Sequence, residues 1–380
     1  MKYIGQVSYN INCNFTNYGS ALQSWALSRV IDRIGSRIGV QSKLIDYCPT
    51  VLEDCDVLNP HKRMWDTDEE SHRMVELSMP AIIVNNKKFE DFYTNRFRRT
   101  KNKYHDNNFD EVIDNESIHG FICGGDTIFC IDEFKGFVEG YYANFACMRN
   151  RSVSYAASFG DSFFNEESYE TLKNRLKNFK CIGLRENFLL NYMKDNCEVP
   201  VKRVVDPTLL LQPDDYDVIT EDRLVPEKYL LIYSRRYNKN MEHFAEAYAK
   251  KNDLKIVDIS LRAINADRGH IMRYDAGVEE FLSLVKHAEC VVTNSFHGII
   301  MSVLFNKLFY SFSREQCDNK TLELMQFLGL SERILVSGDE YCSDVIDYAQ
   351  VHQRIDNARN DSISFLTNEL EILNSLSNYA

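Results

Sequence analysis

The sequence predicts an α/β protein of two Rossmann-like domains with mainly parallel sheets, which face each other across a cleft. Short apolar or β-branched runs alternate with helical patterns in two separate series along the chain. Strands separated by helices of this length pair in parallel through right-handed crossovers. The chain has 380 residues. A single core rarely grows beyond about 250–300 residues, so two domains are expected.

The composition is that of a globular, acidic protein. Hydrophobic residues make up 44% and aromatic residues 12% of the chain, which is ample for packed cores. The net charge of −12 disfavours nucleic acid as a partner, so an anionic ligand has to be bound by local cations. The 11 cysteines include no CxxC pair. Neither a zinc ribbon nor a disulfide framework is therefore indicated, and a reducing compartment fits best.

The N-terminus and the hydropathy pattern indicate a cytoplasmic protein. The stretch "MKYIGQVSYN" is interpreted as a first strand and lacks the cationic start, apolar centre and cleavage site of a signal peptide. No run approaches the ~18 uncharged apolar residues that are needed to span a bilayer. We expect a cytoplasmic protein, with peripheral contact at the inner face of the membrane as an open alternative.

The N-terminal domain is predicted over residues 1–212. It begins with a strand, a polar loop and a helix in "KYIGQVSYNINCNFTNYGSALQSWALSRVIDRIG". The polar, irregular residues 55–110 indicate a mostly helical insert, which we place on the acceptor side. Short apolar runs resume in "IHGFICGGDTIF", "RSVSYAASFGD" and "CIGLRENFLLNYM". The two prolines of "KRVVDPTLLLQPDDYD" then mark the domain boundary.

The C-terminal domain is predicted over residues 213–350, on the donor side. A second α/β series starts at "KYLLIYSRRYNKNMEHFAEAYAKKNDLKIVDIS" and continues through a helix, "VEEFLSLVKHAE", and a strand, "CVVTNS". The helix "GIIMSVLF" and the strand "KLFYSF" follow. Residues 351–380 are predicted to form one closing helix.

His297 is the first candidate for chemistry, because it follows the strand "CVVTN" and opens the next helix. In open parallel sheets, ligands bind beyond the carboxyl ends of the strands. Gly298 allows close approach there, and amides at a helix start attract anions. The imidazole could donate a proton, accept one or hold a phosphate. The alternative is that His297 only caps the helix.

The other predicted strands also end in polar loops. Asn17 lies in "NYGS", Asp126 in "GGD", and Arg185 and Glu186 in "LRE". Such residues are common in the loops of any α/β protein, but together they place several polar groups on one edge. The cations near predicted strand ends are Arg185, Arg314 and the pair Arg235 and Arg236. Guanidinium groups there could bind carboxylate or phosphate, although Arg185 could instead pair with Glu186.

Three common motifs are missing. The sequence contains no GxGxxG after the first strand, no GxxxxGK[ST] and no HExxH. NAD-dependent redox chemistry, P-loop phosphoryl transfer and zinc proteolysis therefore lose support. We expect no metal.

The stretch "KKFEDFYTNRFRRTKNKY", from Lys87 to Tyr104, is the one basic segment. Phe89, Tyr93 and Phe97 recur at helical spacing, which predicts an amphipathic helix with its aromatic residues packed inward. The alternative is attraction to an anionic membrane surface or to a lipid diphosphate.

An ordered set of motifs resembles the polysaccharide pyruvyl transferase family. The motifs are "NYGSALQSWAL", "GGDTIF", "SYAASFG", "IGLRE", "VVDPTLLL", "AGVEEFLSLVKHAECVVTNSFHG" and "SREQCDNKTLELMQFLGLSER", and the match runs from about Lys2 to about Arg333. In "TNSFHG" the chain lacks the arginine of the family pattern SxRxHG, and in "GGDTIF" it lacks the Gln and Trp of GSDQxW.

The resemblance implies a two-domain fold of the GT-B type and transfer of a pyruvyl group from phosphoenolpyruvate to a sugar. The product is a ketal on two hydroxyls of a surface polysaccharide or its lipid-linked precursor. No cofactor is implied besides the donor. The family histidine matches His297 and the arginine of the "RE" motif matches Arg185. The expected site comprises the catalytic residues His297 and Asp126, the donor-binding residues Arg185, Arg235, Arg314, Ser295 and Gly298, and the acceptor-binding residues Asn17, Tyr18, Gly19 and Glu186.

Two other functions stay open at this point. A GT-B-type glycosyltransferase that uses a nucleotide sugar would share the same architecture. A non-catalytic glycan-binding or regulatory protein could also keep the scaffold after its motifs had changed. The sequence leaves the oligomeric state open.

Overall fold

The computed structural model describes residues 2–58, 68–314, 318–338, 342 and 345–376. Within these residues the chain forms two sheets. The strands of the first sheet are β1 (Lys2–Val7), β2 (Val40–Tyr47), β3 (Arg99–Tyr104), β4 (Ile118–Gly124), β5 (Ser152–Ala157), β6 (Phe179–Leu184) and β7 (Val201–Arg203). The strands of the second are β8 (Tyr229–Tyr233), β9 (Lys255–Ile259), β10 (Ile271–Met272), β11 (Cys290–Thr293), β12 (Leu308–Phe312) and β13 (Ile334–Leu335).

The strand orders are β3-β2-β1-β4-β5-β6-β7 and β10-β9-β8-β11-β12-β13, and neighbouring strands are parallel. In each sheet the order reverses beside the first strand of that sheet. This doubly wound arrangement is the Rossmann-like pattern, which places a binding crevice at the point of reversal. The predicted fold class of two Rossmann-like parallel sheets is confirmed.

Helices connect most of the strands. They are α1 (Tyr18–Ile38), α2 (Glu69–Arg96), α3 (Val112–Glu116), α4 (Ile131–Phe134), α5 (Glu166–Leu176), α6 (Leu190–Asn196), α7 (Lys239–Lys251), α8 (Val278–Lys286), α9 (Phe296–Leu304), α10 (Asp318–Leu328) and α11 (Tyr348–Leu376). None of the described helices is both long enough and apolar enough to cross a bilayer.

Helix α1 shows how local sequence sets these elements. The side chain of Asn17 accepts a hydrogen bond from the N–H of Gly19 at 3.0 Å, which caps the first turn. Gly39 caps the C-terminal end of α1: its φ is 79°, and its N–H donates to the carbonyl oxygen of Gly35. Between these ends, apolar residues that include Trp25 are buried. Helix α1 therefore presents its first turn to the carboxyl edge of the first sheet.

The predicted insert differs from our expectation of a mostly helical segment. Part of it is helix α2, but Arg99–Tyr104 form β3, an edge strand that pairs with β2. Thr100 and Tyr104 point inward from this strand and are buried. The carboxylate of Glu116 accepts the backbone N–H of Lys101 at 2.7 Å, which holds the strand from its outer side. Residues 59–67 of the insert lie outside the described residues.

The closing helix α11 packs on the first sheet rather than on the second. It begins at Tyr348, before the predicted start at residue 351, and buries Phe365, Leu366, Leu370 and Leu373. The C-terminus of the chain therefore completes the core of the N-terminal sheet. Residues 377–380 of the predicted helix lie outside the described residues.

A packed apolar interface joins the two units. The ring of Tyr18 stacks on Phe281 with centroids 4.5 Å apart and meets Tyr233 edge-on at 5.6 Å. Its hydroxyl donates to the carbonyl oxygen of Ala276 at 2.7 Å. These residues belong to one core cluster that spans both sheets. The interface sets the distance between the two carboxyl edges.

The basic segment lies at the same interface. Phe89 and Tyr93 are buried on α2, as the helical spacing predicted, whereas Phe97 follows the end of the helix and is half-buried. Lys88 pairs with Glu280 at 2.6 Å and Arg96 pairs with Glu279 at 2.5 Å, so α2 is tied to α8. Two of the seven cations of this segment are thus paired with the second unit, whereas Lys87, Arg98 and Arg99 pair within the first.

Candidate functional site

The two sheets meet at their carboxyl edges, and a small cavity lies where both strand orders reverse. This cationic cavity has a volume of about 70 Å³. The first unit contributes Tyr9, Asp126 and Glu133 from the segments after β1 and β4. The second unit contributes Arg235, Arg236, Arg314 and Lys320 from the segments after β8 and β12 and from α10. Acids on one wall thus face cations on the other.

Two of these cations lack a carboxylate partner. The guanidinium of Arg235 donates a long hydrogen bond of 3.4 Å to the carbonyl oxygen of Thr16 and lies 4.5 Å from the centre of the Phe15 ring. Among the described residues, neither Arg235 nor Lys320 forms an ion pair with a carboxylate. The cavity therefore holds positive charge that the described residues leave uncompensated.

Asp126 is an ionised acid in this cavity. It follows Gly125 at the end of β4 with a φ of 59°, and its Oδ1 accepts the N–H of Thr127 at 2.9 Å. The hydroxyl of Ser20 donates to its other oxygen. Burial alone would raise the pKa of Asp126, but the charges of Lys320 and Arg185 outweigh burial and lower that pKa. Asp126, which the sequence predicted as a catalytic residue, therefore lies in the cavity as a carboxylate.

Glu133, on α4, is the second acid, and its pKa is shifted in the opposite direction from that of Asp126. Its Oε2 accepts a hydrogen bond from the hydroxyl of Thr127 at 2.8 Å. Burial raises the pKa of Glu133, and the negative charge of Asp126 raises it further. Two carboxyls in one cavity whose pKa values are pushed apart are suited to complementary acid and base roles.

A buried charged cluster lies next to the cationic cavity. The Nη1 of Arg185 donates to Oδ2 of Asp206 at 2.7 Å, and its Nε donates to Glu186 at 3.1 Å. Its Nη2 is buried without a hydrogen-bond partner. Thr208 donates from its N–H and its hydroxyl to Oδ1 of Asp206. The predicted contact of Arg185 with Glu186 is thus present, and Arg185 makes a shorter hydrogen bond to Asp206.

These contacts set the charge states in the cluster. Burial opposes ionisation of Asp206, but His297 and Arg185 hold its pKa far below the usual range. Burial would lower the pKa of Arg185, but Glu186 and Asp206 raise it. A cavity of about 230 Å³, here called the Arg185 cavity, is lined by Arg185, Glu186 and Asp206 and shares Lys320 with the cationic cavity.

His297 lies beside this cluster. It is 6% exposed, and its Nε2 lies 3.5 Å from Oδ2 of Asp206 without forming a hydrogen bond. Its Nδ1 faces Gly19 so closely that a Cβ at Gly19 would overlap it. His297 is not among the residues that line the three cavities described here. The structure brings it to the predicted sheet edge, but between the two units instead of on the cleft surface.

Several predicted ligand-binding residues have packing roles instead. The ring of Tyr18 is enclosed in the domain interface. A Cβ at Gly298 would overlap the Thr293 hydroxyl, so this glycine allows α9 to approach its own strand. The Ser295 hydroxyl caps α9 by accepting the N–H of Gly298 at 3.3 Å. These contacts give Tyr18, Gly298 and Ser295 structural roles, and their predicted roles in ligand binding stay predictions.

Other predicted residues reach the cavities. Asn17 caps α1 and also lines the cationic cavity, which Arg235 and Arg314 line as well. Glu186 lines the Arg185 cavity, where it holds Arg185. Gly19 contributes by leaving room for His297.

Sequence reasoning missed three residues of the site. Asp206 stands in "VVDPT", where an acid before proline at a strand end could have been selected as a cap. Glu133 follows Asp126 within the same loop and short helix, so a second acid in "GGDTIFCIDEF" was the available signal. Lys320 lies in the first turns of α10, and nothing in its local sequence distinguishes it from a surface lysine.

A third cavity of about 230 Å³ lies between the start of α2 and the second sheet, and we call it the α2 cavity. Its walls include Tyr237, Tyr274 and Arg262, and it shares Phe15, Arg235 and Arg236 with the cationic cavity. The guanidinium of Arg262 lies 4.0 Å from the centre of the Tyr237 ring and pairs with Glu70 of α2 at 2.6 Å. Aromatic and charged groups therefore face an opening beside the cationic cavity.

In comparisons with known proteins, a family model described as polysaccharide pyruvyl transferase matches residues 17–316 of the chain. No curated protein matches the chain significantly. Among solved structures, the chain is similar to S. aureus MnaA with UDP (14% identity, 93% of this chain and 87% of that chain, TM-score 0.49). It is also similar to a UDP-GlcNAc 2-epimerase from Methanocaldococcus jannaschii (10% identity, 94% of this chain and 92% of that chain, TM-score 0.47). A further similar structure is Acinetobacter baumannii MurG (8% identity, 98% of this chain and 99% of that chain, TM-score 0.43).

Proposed function

Because the chain belongs to the polysaccharide pyruvyl transferase family, we propose that it transfers a pyruvyl group from phosphoenolpyruvate to two hydroxyls of one sugar. The sugar belongs to a surface polysaccharide or to its lipid-linked precursor. The observation that carries the proposal is the cationic cavity. In a chain with a net charge of −12, Arg235 and Lys320 face the cleft without a carboxylate partner among the described residues.

The donor suits this cavity. Phosphoenolpyruvate carries a phosphate and a carboxylate on one small carbon frame, so it requires several cations within a short distance. Guanidinium groups bind both kinds of anion through paired N–H donors. Arg235, Arg236, Arg314 and Lys320 all line the cavity from the second unit. This supports the prediction that the second unit binds the donor.

The reaction needs one proton donor and one proton acceptor. Protonation of C3 makes C2 electrophilic, and one sugar hydroxyl then adds to C2 and loses its proton. Phosphate leaves with the electrons of its bond to C2, after which the second hydroxyl adds and loses its proton. Of the two hydroxyl protons released, one replaces the proton taken up at C3 and the other remains on phosphate. Asp126, with its lowered pKa, is suited to accept a hydroxyl proton.

The buried cluster has a positioning role in this proposal. Asp206 holds Arg185 at 2.7 Å, which leaves Nη2 of Arg185 for an oxygen of the donor or the leaving phosphate. His297 lies against Asp206 and Gly19, so it positions the cluster across the domain interface. For His297→Ala we expect a loss of turnover of about 10²-fold with the fold retained, because the reacting groups would be less well positioned.

The α2 cavity is the proposed entrance for the acceptor. The rings of Tyr237 and Tyr274 offer flat apolar faces for a sugar ring, and polar groups of α2 such as Ser71 line the same space. Because this cavity shares Arg235 and Arg236 with the cationic cavity, an acceptor bound there would lie beside the donor. This replaces the predicted acceptor contact of Tyr18.

Ligand binding and product formation test the proposal together. Phosphoenolpyruvate at 100 times its Kd should stabilise the protein by about 2.7 kcal/mol, seen as a rise in Tm. Arg235→Ala should lose most of this rise, whereas Arg29→Ala, on the exposed face of α1, should keep it. Acceptor glycans should then cause release of inorganic phosphate from phosphoenolpyruvate.

Other outcomes identify the alternative functions. A rise in Tm with nucleotide sugars but not with phosphoenolpyruvate would indicate a glycosyltransferase. Binding of glycans without phosphate release from phosphoenolpyruvate would indicate a non-catalytic binding protein.

A further inference from the structure

The cationic cavity contains an acid that the sequence did not single out. Glu133 lies on the short helix α4, and its Oε2 accepts the Thr127 hydroxyl at 2.8 Å. Thr127 directly follows Asp126, whose Oδ1 accepts the N–H of Thr127. One residue of the loop after β4 therefore contacts both carboxyls, and both line the same cavity.

Burial and the charge of Asp126 favour the protonated form of Glu133. Asp126, Tyr9 and Tyr141 act on it from the first unit, and Lys320 and Arg314 act from the second. Burial is the largest influence and raises the pKa of Glu133, while the Thr127 hydrogen bond and the two cations only partly offset it. Glu133 therefore holds its proton to a higher pH than an exposed glutamate does.

We propose that Glu133 is the catalytic acid that protonates C3 of phosphoenolpyruvate, an assignment that rests on the proposed function. The O–H bond of Glu133 breaks, and the electron pair of the C2–C3 double bond forms the new C3–H bond. Carbon 2 becomes electron-deficient and Glu133 becomes a carboxylate. A proton released later by a sugar hydroxyl returns Glu133 to its acid form, so the cycle needs no further reagent.

The distribution of charge in the cavity supports this orientation. The phosphate and carboxylate of the donor are attracted to the cations of the second unit. The uncharged methylene carbon C3 is then left to face the wall of the first unit, where Glu133 lies. A bound anionic donor also disfavours the carboxylate form of Glu133, which helps to keep the proton in place until transfer.

The other titratable groups near the cavity are less suited to this step. Asp126 has a lowered pKa and is ionised. Burial raises the pKa of Tyr9 well above its usual value, so its hydroxyl is a weak acid. His297 does not line the cavity, and its Nε2 faces Asp206 at 3.5 Å.

Glu133→Gln tests the assignment, with Asp132→Asn as the matched control on the neighbouring position. Asp132 is exposed and accepts the N–H of Phe163, which an asparagine oxygen can still do. For Glu133→Gln we expect kcat to fall by about 10²–10⁴-fold. KM for phosphoenolpyruvate should change less than about three-fold, because the substitution removes a proton and not a binding cation. Asp132→Asn should keep the kcat of the wild type.

The pH profile adds a readout that a structural defect would not produce. A general acid must be protonated, so kcat of the wild type should fall as the pH rises through the raised pKa of Glu133 in the complex. Glu133→Gln should lose this limb of the profile. In D₂O the wild type should place one deuterium in the methyl group of each ketal formed and show a solvent isotope effect on kcat.

A binding measurement separates this inference from the proposed function. Calorimetry of phosphoenolpyruvate binding, in two buffers with different heats of ionisation and at the pH where the wild-type kcat begins to fall, should show more proton uptake by the wild type than by Glu133→Gln. Turnover of Glu133→Gln at the wild-type rate, with an unchanged pH profile, would overturn the assignment and leave the function standing. A wild type that neither binds nor consumes phosphoenolpyruvate would overturn both.

Discussion

At the scale of single residues, the site depends on buried charges that hold one another in place. The side chains of Arg185 and Asp206 are 3% and 1% exposed, so each would be costly to bury alone. Asp206 offsets this cost with two contacts from Thr208 and one from Arg185. The cluster is therefore sensitive to removal of any one charge.

Asp206→Asn tests that dependence. The substitution leaves Arg185 with one carboxylate partner, so we expect a loss of about 3–5 kcal/mol in the free energy of unfolding near pH 7. The folded-state pKa of Asp206 is lowered, so its contribution is fully present above the unfolded pKa of about 3.9. The contribution is lost as the pH falls below that value toward the folded pKa.

The free energy of unfolding of both proteins is measured in urea between about pH 3 and about pH 7, a range that includes the unfolded pKa of roughly 3.9. The difference between wild type and Asp206→Asn should shrink below about pH 4. A difference that is constant over this range would contradict the lowered pKa.

Gly19→Ala tests the close approach of His297. The added Cβ would overlap Nδ1 of His297, so we expect a loss of about 1–3 kcal/mol in the free energy of unfolding and a lower turnover. Removing the ring should relieve the overlap. In a double-mutant cycle, Gly19→Ala should therefore cost less in a His297→Ala background than in the wild type. Additive effects would show that the two residues do not contact.

At the scale of elements, the first turns of two helices from different units meet at the site. Helix α1 begins at Tyr18 and α9 begins at Phe296, and both starts lie at the carboxyl edges of their sheets. The aromatic interface around Tyr18 holds these edges together. Asn85 of α2 donates to the same Ala276 carbonyl that accepts the Tyr18 hydroxyl. Three elements therefore share one interface contact.

Tyr18→Phe distinguishes an interface role from an acceptor-binding role. Loss of the hydroxyl removes the hydrogen bond to the Ala276 carbonyl but keeps the stacked ring, so we expect a cost of about 1–2 kcal/mol. Denaturant unfolding measures this cost. KM for the acceptor should be unchanged, and a large rise in KM would restore Tyr18 to the acceptor site.

At the scale of the whole molecule, the chain returns to its first sheet after completing the second. Helix α11 follows the last strand of the second sheet and packs on β4, β5 and α1 of the first unit. Its apolar face is part of the core cluster that joins both units. The first unit is thus completed only by the end of the chain, and the two units should unfold cooperatively.

Leu370→Ala in α11 tests this coupling. Leu370 is fully buried, so its truncation should cost about 2–5 kcal/mol. Ile372→Ala on the exposed side of the same helix is the control. Apart from the change in helix propensity, it should cost less than about 0.5 kcal/mol in the free energy of unfolding. A single unfolding transition that shifts as a whole is expected by calorimetry. A second transition confined to the first unit would contradict the coupling.

Much of the fold could be predicted because its signals are local. The apolar runs that became β4 and β11, and the aromatic spacing of α2, are visible in the sequence. The strand β3 was missed because "RTKNKY" is polar and is held at the sheet edge through Tyr104 and Glu116. The site was predicted in part: Asp126, Arg235 and Arg314 reach one cavity, whereas Tyr18 and Gly298 serve packing.

The sequence by itself determined the α/β class, the two strand–helix series and the family, because periodicity and ordered motifs are properties of neighbouring residues. Only the tertiary structure decided which polar groups share a cavity and which are enclosed. Glu133 and Lys320 line one cavity from different units, whereas His297 lies beside Asp206 and lines none of the three cavities. Burial and the charges of distant residues set the protonation of these groups, and neither is present until the two sheets pack together.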